Sequence, residues 1–304
     1  MLAITHSQER ALGHRTQHMN EQSERPSHPH EPLSTESASA ADGRALQLNP
    51  ERVIAPRIPV WSYLERKTGK YSNRMRTGWR EKTQPSEIRI RGVRIPIDRE
   101  LYSPKIIQRL YDEGYEREER IALERSLRSS DRVLELGACI GYLSTVAARL
   151  IGSDKVTTCE ANPALIPMIG RVHDCNDVRP TVLHGVMTLE AAESTCAFYS
   201  HRDIWSSSLL EPAKGDFERV AVPTLDWRSE LQRLQPTYLL MDIEGGEIDL
   251  LESFDCASVE RMLIEFHPRK TGQAGVDRVF RHLAKIGFAR VHADRGTHIY
   301  YFER

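Results

Sequence analysis

No apolar run in the chain approaches the ~20 residues that a membrane-spanning helix needs. The opening segment MLAITHSQERALGHR also lacks the apolar core of a secretory signal, so a cytoplasmic protein is expected. An excess of one charge is missing too. The chain sets 42 Lys and Arg against 43 Asp and Glu, and no overall field draws it toward nucleic acid or anionic lipid. Cysteine is sparse and scattered: Cys139, Cys159, Cys175, Cys196 and Cys256 form no C-x-x-C pair, which indicates neither a disulfide framework nor a zinc site. What remains is ordinary for a soluble globular protein, with 39% apolar and 28% charged residues over 304 positions, enough for one large domain or two small ones.

The composition changes along the chain. Residues 21 to 43, EQSERPSHPHEPLSTESASAADG, contain no Val, Ile or aromatic residue and cannot bury enough surface to offset ordering, so residues 1–50 are expected to be a disordered tail. Residues 66 to 82, RKTGKYSNRMRTGWREK, carry seven basic residues with Tyr71 and Trp79 between them, which reads as a solvated basic arm or a grip for an anionic substrate. In EIRIRGVRIPID the apolar residues alternate on both sides of Gly92, predicting a hairpin with one buried face that caps the main domain. The segment 51–100 is thus arm and hairpin, and 101–304 is the main domain.

From residue 101 the periodicity alternates between helix and strand, the pattern of a parallel sheet covered on both faces. Helices are expected from Ser103 to Gly114, from Tyr115 to Leu127, after Gly141, from Asn162-Pro163 and around Val276, Val279, Phe280 and Leu283. RVLEL, KVTTCE, PTVLHGV, TYLLMDI and RMLIEF read as strands, and FARVHAD with HIYYFE as a closing hairpin. The segment FYSHRDIWSSSLLEP between the third and fourth strands reads as a loop, with His201, Trp205 and Ser207 as candidate substrate contacts.

The most informative stretch is DRVLELGACIGYLSTVAARLIG, a strand running through a glycine-containing turn into an amphipathic helix. A dinucleotide fingerprint, G-x-G-x-x-G, would need glycine at Cys139 and Tyr142, so that pattern fails twice. Glu135 beside the turn would repel a pyrophosphate. The same carboxylate suits S-adenosylmethionine, which has no phosphate and carries an ammonium and a sulfonium. Gly137 would admit the ligand to the backbone and Gly141 would let the helix pack closely. Glu160, ending the second strand, offers paired acceptors to ribose hydroxyls, while Gly185 after the third strand leaves room for an adenine ring.

Four blocks carry a family resemblance: YEREE at 115–119, VLELGACIGYLS at 133–144, CEANP at 159–163, and TLDW with YLLMDIEGGEIDLL and MLIEFHP at 224–227, 238–251 and 262–268. The chain resembles the FkbM methyltransferases over residues 87 to 304, and the D-x-E-G-x-E core is the most specific part. The resemblance implies a Rossmann-like α/β fold with a seven-stranded sheet in the order 3-2-1-4-5-7-6, its last strand antiparallel. It also implies S-adenosylmethionine over the ends of the first two strands and O-methylation of hydroxyls on small molecules or sugars. The family commonly has Gly-Ala-Asn where this chain has Gly137-Ala138-Cys139.

On this reading the cofactor residues are Glu116, Glu135, Gly137, Cys139, Gly141, Glu160, Asn162, Gly185 and Asp242. Tyr115 and Glu116 would fold over the cofactor. An alcohol nucleophile needs a base within hydrogen-bond reach, and Asp242, Glu244 and His267 are the catalytic candidates, with Glu265 beside them as a substrate contact. Glu247 reads as a cap on the helix that follows. Asp242, Glu265 and His267 show no dedicated metal spacing, and no metal is expected. Two alternatives stand beside the small-molecule methyltransferase: one acting on nucleic acid or protein, and a non-catalytic cofactor-binding scaffold.

Overall fold

In a computed structural model of the chain, the structure describes residues 73–189, 193–201, 217–293 and 297–304. The expected tail and the first part of the basic arm lie outside these residues. The remainder of the arm is a helix, α1 (73–83), tied down by its own arginines. The Arg80 guanidinium is buried and donates to the Tyr111 carbonyl at 2.7 Å and to Glu113 at 3.2 Å, and Arg76 pairs with Glu113 at 3.1 Å. The hairpin of β1 (Glu87–Ile90) and β2 (Val93–Pro96) follows, turning at Arg91-Gly92. Ile88, Ile90, Val93 and Ile95 are all buried. β2 lies against α5 (Ile166–Cys175), where the Asn176 side chain accepts from the Arg94 amide and donates to its carbonyl.

The main sheet has seven strands: β3 (Val133–Leu136), β4 (Val156–Glu160), β5 (Thr181–His184), β9 (Tyr238–Met241), β10 (Arg261–Glu265), β11 (Ala289–Ala293) and β12 (Ile299–Glu303). Their spatial order is β5-β4-β3-β9-β10-β12-β11, the 3-2-1-4-5-7-6 order expected. β12 runs antiparallel to both its neighbours. The two-residue period sorts side chains to two cores. Val133, Tyr238, Leu240 and Leu263 face one core with α4 (Tyr142–Ile151), α5 and the hairpin. Leu134, Leu136, Leu239, Met241 and Met262 face the other with α6 (Trp227–Leu234), α7 (Glu247–Glu252) and α9 (Gln273–Lys285). Each Leu or Ile so buried contributes roughly 1.5–3 kcal/mol.

Two details differ from the sequence reading. The helices expected near Ser103 and Tyr115 are α2 (Pro104–Tyr111) and α3 (Arg117–Ser126), but Asn162-Pro163 does not open α5. The Asn162 side chain instead accepts from the Ala164 amide at 3.1 Å and the helix starts at Ile166. The segment between the third and fourth strands is not simply a loop: β6 (Val186–Thr188), β7 (Thr195–His201) and β8 (Phe217–Asp226) form a separate three-stranded sheet in the order β6-β8-β7. Its own core is small, Val186, Phe198 and Val222, and Pro223 cannot donate to the ladder, so the alternation is weak along the sequence. Trp205 and Ser207 lie outside the described residues. Among those described, no helix is long and apolar enough to cross a membrane.

At the end of the sheet remote from the strand carboxyl ends, Arg261 pairs with Asp131, and each side chain is only 1% exposed. Asp131 also accepts from the Thr237 hydroxyl at 2.9 Å and the Arg128 amide at 2.7 Å. Without Asp131 the buried Arg261 would keep only the half-exposed Glu260, 3.4 Å away. Asp131→Ala should therefore cost about 3–5 kcal/mol in denaturant unfolding, whereas Glu230→Ala, which breaks a pair to the half-exposed Arg233, should cost under about 1 kcal/mol.

Candidate active site

Ligands of open α/β sheets bind outside the carboxyl ends of the strands, and here those ends frame a cleft of about 350 Å³. Its floor is the turn after β3. Gly137 and Cys139 line it, and the Gly137 and Ala138 amides donate to the Cys159 carbonyl at 2.9 and 3.1 Å. Gly137 is required by its neighbour: a Cβ there would sit 1.8 Å from the Asp242 carbonyl oxygen, and its φ is +89°. One side is built from Glu160, Asn162 and Gly185 at the ends of β4 and β5, with Val186, Met187 and Phe198 from the small sheet. The other side is Asp242, Ile243 and Glu244 after β9, with Glu265 closing β10. Gly114, Tyr115, Glu116, Glu118 and Glu119 also line it, and Arg109 is the one basic residue among the described lining.

Cys139, Glu116 and Glu244, all lining the cleft, adopt left-handed backbone with φ of 49°, 44° and 56°. Such conformations cost a non-glycine residue of order 1 kcal/mol or more and collect where a site needs them. Glu160 is 7% exposed and answers the strained turn directly. Its carboxylate accepts from the Cys139 amide at 2.9 Å and the Asn162 amide at 2.7 Å. Burial pushes its carboxyl up to about 7, against those two hydrogen bonds.

Acidity is the dominant character of the cleft. Burial raises Glu116, and raises Glu119 to about 7. Glu119 and Glu265 share a hydrogen bond, and Glu265 is raised in turn by burial. Asp242 is held well above the usual carboxylate range by burial and then by the charge of Glu265. One Asp242 oxygen is shielded from solvent with no proton donor, although 39% of the side chain is open. His267 lies behind this row. Its Nε2 is 3.7 Å from Asp242 and 3.4 Å from Glu244, and Nδ1 is 2.6 Å from Glu247. Burial would lower His267, but the Glu247 bond and the charges of Asp242 and Glu244 outweigh it and carry it up to about 9. These contacts favour the charged form of the ring. Asp242, Glu244 and His267 also present ligand atoms within 4.8 Å of one another, a set that could hold a divalent ion, with Lys270 paired to Glu244 at 2.7 Å.

Not every candidate residue reaches the cleft. Glu135 is 2% exposed and lies beneath the turn, where Thr158, its ladder partner on β4, donates to it. It lines a small inner recess with Glu116, Glu119, Gly137, Asp242 and Glu265, and burial pushes it up to about 7. Gly141 is a packing residue, since a Cβ there would meet Ile169 and His173 of α5 at 3.1–3.3 Å. His201, at the end of β7, stacks on Phe217 at 4.7 Å and lines a separate cavity with Arg99, Tyr102 and Tyr111. The sequence reading did not assign Glu119 or Phe198 to the site, nor Glu247 as the partner of His267. The acid-rich YEREE, with Glu116 and Glu119 one helical turn apart, was the available signal for Glu119.

The model of the methyltransferase FkbM domain matches residues 135–290, more than half of the chain. A search of curated proteins found no match. Similar solved structures include TYW2 from M. jannaschii in complex with AdoMet, at 14% identity over 72% of this chain and 87% of that one, with a TM-score of 0.39. They also include precorrin-6y C5,15-methyltransferase from Geobacter metallireducens, at 10% identity over 68% and 91%, TM-score 0.37, and an O-methyltransferase from Bacillus cereus in complex with SAH, at 11% identity over 67% and 82%, TM-score 0.34. The chain belongs to the FkbM methyltransferase family.

Proposed function

We propose that the chain is an S-adenosylmethionine-dependent O-methyltransferase acting on a hydroxyl of a small molecule or saccharide. The observation that carries this is the charge of the cleft. Glu116, Glu119, Glu160, Asp242, Glu244 and Glu265 line it against Arg109 alone among described bases, so a ligand with two phosphates is repelled and one carrying an ammonium and a sulfonium is attracted. Glu160, with its two oxygens side by side at the end of β4, suits a ribose diol, and Gly185 leaves the wall beside it open. Asn162 steadies Glu160 through its amide. Glu135, beneath the turn, adds to the negative potential without touching the cleft.

When bound, S-adenosylmethionine supplies an electrophilic methyl on sulfur that departs as a neutral thioether. The chain's part is to align the acceptor oxygen and to remove its proton. Asp242 is the base this geometry supports: it lines the cleft, one of its oxygens lacks a proton donor, and the charged form of the His267 ring favours its ionised form. Asp242 would be the group that takes up the proton of the acceptor hydroxyl. Glu244, neutralised by Lys270, and Glu265 orient the acceptor. The same acidic rim disfavours nucleic acid, and two of the three arginines of α1 that could have drawn it, Arg76 and Arg80, are engaged with Glu113.

Three outcomes follow. Calorimetry should show micromolar binding of S-adenosylmethionine that Glu160→Ala weakens at least tenfold; equal affinity in the two proteins would remove Glu160 from the site. Asp242→Asn should retain the cofactor yet lose about 100-fold or more in transfer to any acceptor found by screening hydroxylated small molecules; retained turnover would leave Asp242 only a positioning role. The third concerns pH. Glu135 and Glu160 are raised in the folded state from 4.5 to about 7, so the folded chain holds protons more tightly and loses stability as pH rises across that window, on the order of 3 kcal/mol per group. His267, raised from 6.5 to about 9, contributes stability that is also lost as pH climbs through its folded value. Thermal melting of the cofactor-free protein should therefore fall steadily from pH 5 to pH 9, and the cationic cofactor should restore more of it at pH 8 than at pH 5. A flat profile would contradict the burial of these acids.

A further inference from the structure

Arg109, in the last turn of α2, is the one basic residue among the described lining of a cleft otherwise rich in acids. Other cations of the domain are closely engaged. Lys270 of α8 (Pro268–Thr271) pairs with Glu244 at 2.7 Å, Arg120 of α3 with Glu124 at 2.5 Å, and Arg171 of α5 with Asp98 at 2.6 Å. Among the described residues the Arg109 guanidinium has a single ion pair, a 4.0 Å approach to Asp112, and half of the side chain is exposed. Asp112 is already occupied, since its Oδ1 accepts from the Gly114 amide at 2.7 Å. The end of α2 sets where the guanidinium lies. The Arg109 carbonyl accepts from the Gly114 and Tyr115 amides at 2.9 and 3.0 Å, which folds the chain back past the helix end. The guanidinium rests on Gly114, where a Cβ would sit 2.6 Å from its Nη1, 2.9 Å from its Cζ and 2.6 Å from Asp112 Oδ1. Gly114 is not among the glycines with positive φ. Its backbone conformation therefore admits alanine, and it is the space taken by these two side chains that calls for glycine.

We propose that Arg109, seated on Gly114, binds the α-carboxylate at the amino-acid end of S-adenosylmethionine. That end carries an ammonium and a carboxylate on one carbon. The acids of the cleft offer oxygens to the ammonium, and in their ionised form they repel the carboxylate. A cleft lined by acids alone would thus favour half of this group and oppose the other half. One arginine removes the opposition. Its planar fork of donors matches the two oxygens of a carboxylate, and it stays charged at every working pH. A single such cation also suits one carboxylate better than two phosphates. Arg109 and Gly114 line the cleft together with Tyr115 and Glu116, and the carbonyl of Arg109 holds the Tyr115 amide, so one turn of chain brings the base and an acid to the same ligand.

This deepens the methyltransferase reading and rests on it for the identity of the ligand. Calorimetry on the full chain with S-adenosylmethionine and with its decarboxylated form, two ligands that differ by the carboxylate alone, isolates the contact. In Arg109→Gln the affinity for S-adenosylmethionine should fall at least about tenfold, while that for the decarboxylated form should stay within about twofold of native. Arg109→Lys should recover part of the loss, because it restores the charge without the fork. Gly114→Ala keeps the charge but puts a methyl where the guanidinium rests, and should show the same selective loss at a smaller size, about threefold. Equal losses for both ligands would make Arg109 a purely structural residue, and an unmoved affinity for S-adenosylmethionine would place the carboxylate elsewhere; either result overturns the inference. Native protein that binds both ligands but does not respond to Arg109→Gln removes the arginine and leaves the cofactor reading standing. Native protein that binds neither ligand sinks the cofactor reading and this contact with it.

Discussion

The contact on which the rest of the site depends is that between the Gly137 backbone and the Asp242 carbonyl. β3 and β9 run side by side in register, Leu136 opposite Met241, and the Asp242 amide donates to the Leu136 carbonyl at 2.9 Å where the strands end. Beyond that bond the chains diverge, one into the turn that carries Cys139 and one into the turn that carries Glu244. No side chain fits at residue 137, so the two turns start from a nearly touching pair of backbones. This is what brings residues over a hundred positions apart to one cleft wall.

Closeness of that kind concentrates charge. Acids arrive from the first turn of α3, from the ends of β4, β9 and β10, and from the turn after β9. A protein interior tolerates such a gathering only when protons, cations or hydrogen bonds answer it. Each answer is visible in a different place: backbone amides for Glu160, a shared hydrogen bond for Glu119 and Glu265, a lysine for Glu244, and the His267 ring for Asp242. The left-handed backbone at Glu116, Cys139 and Glu244 belongs to the same economy of space, since each places a backbone or side-chain group at the cleft that a relaxed conformation would turn away. For Cys139 this is the position where asparagine is the commoner choice in the family, a residue that tolerates that backbone more readily.

The strands of the sheet, its closing hairpin and the capping hairpin before residue 100 were legible in the sequence because each rests on local periodicity: VLEL, VTTCE and YLLM are short apolar runs, and EIRI and VRIP alternate around a glycine; the strand order was implied by the family resemblance alone. The small sheet of β6, β7 and β8 was not legible, because it buries only Val186, Phe198 and Val222 and carries a proline in its longest strand. Gly137, Glu160 and Asp242 were recognisable as site residues from their places at strand ends. Glu135 was recognisable as an unusual acid, but its direction was not: the pleat turns it toward Thr158 beneath the turn.

By itself, then, the sequence determined the strands and helices and the acidic character of the strand ends, since both are written in short stretches whose meaning does not depend on distant residues, while its motifs carried the family resemblance and, through that, the strand order. Tertiary structure alone decided which of those acids share a cavity, that the His267 ring meets Glu247, and that Glu135 lies beneath the turn. Those properties depend on side chains that meet across strands, and on burial that strengthens every charge around them, neither of which any single segment contains.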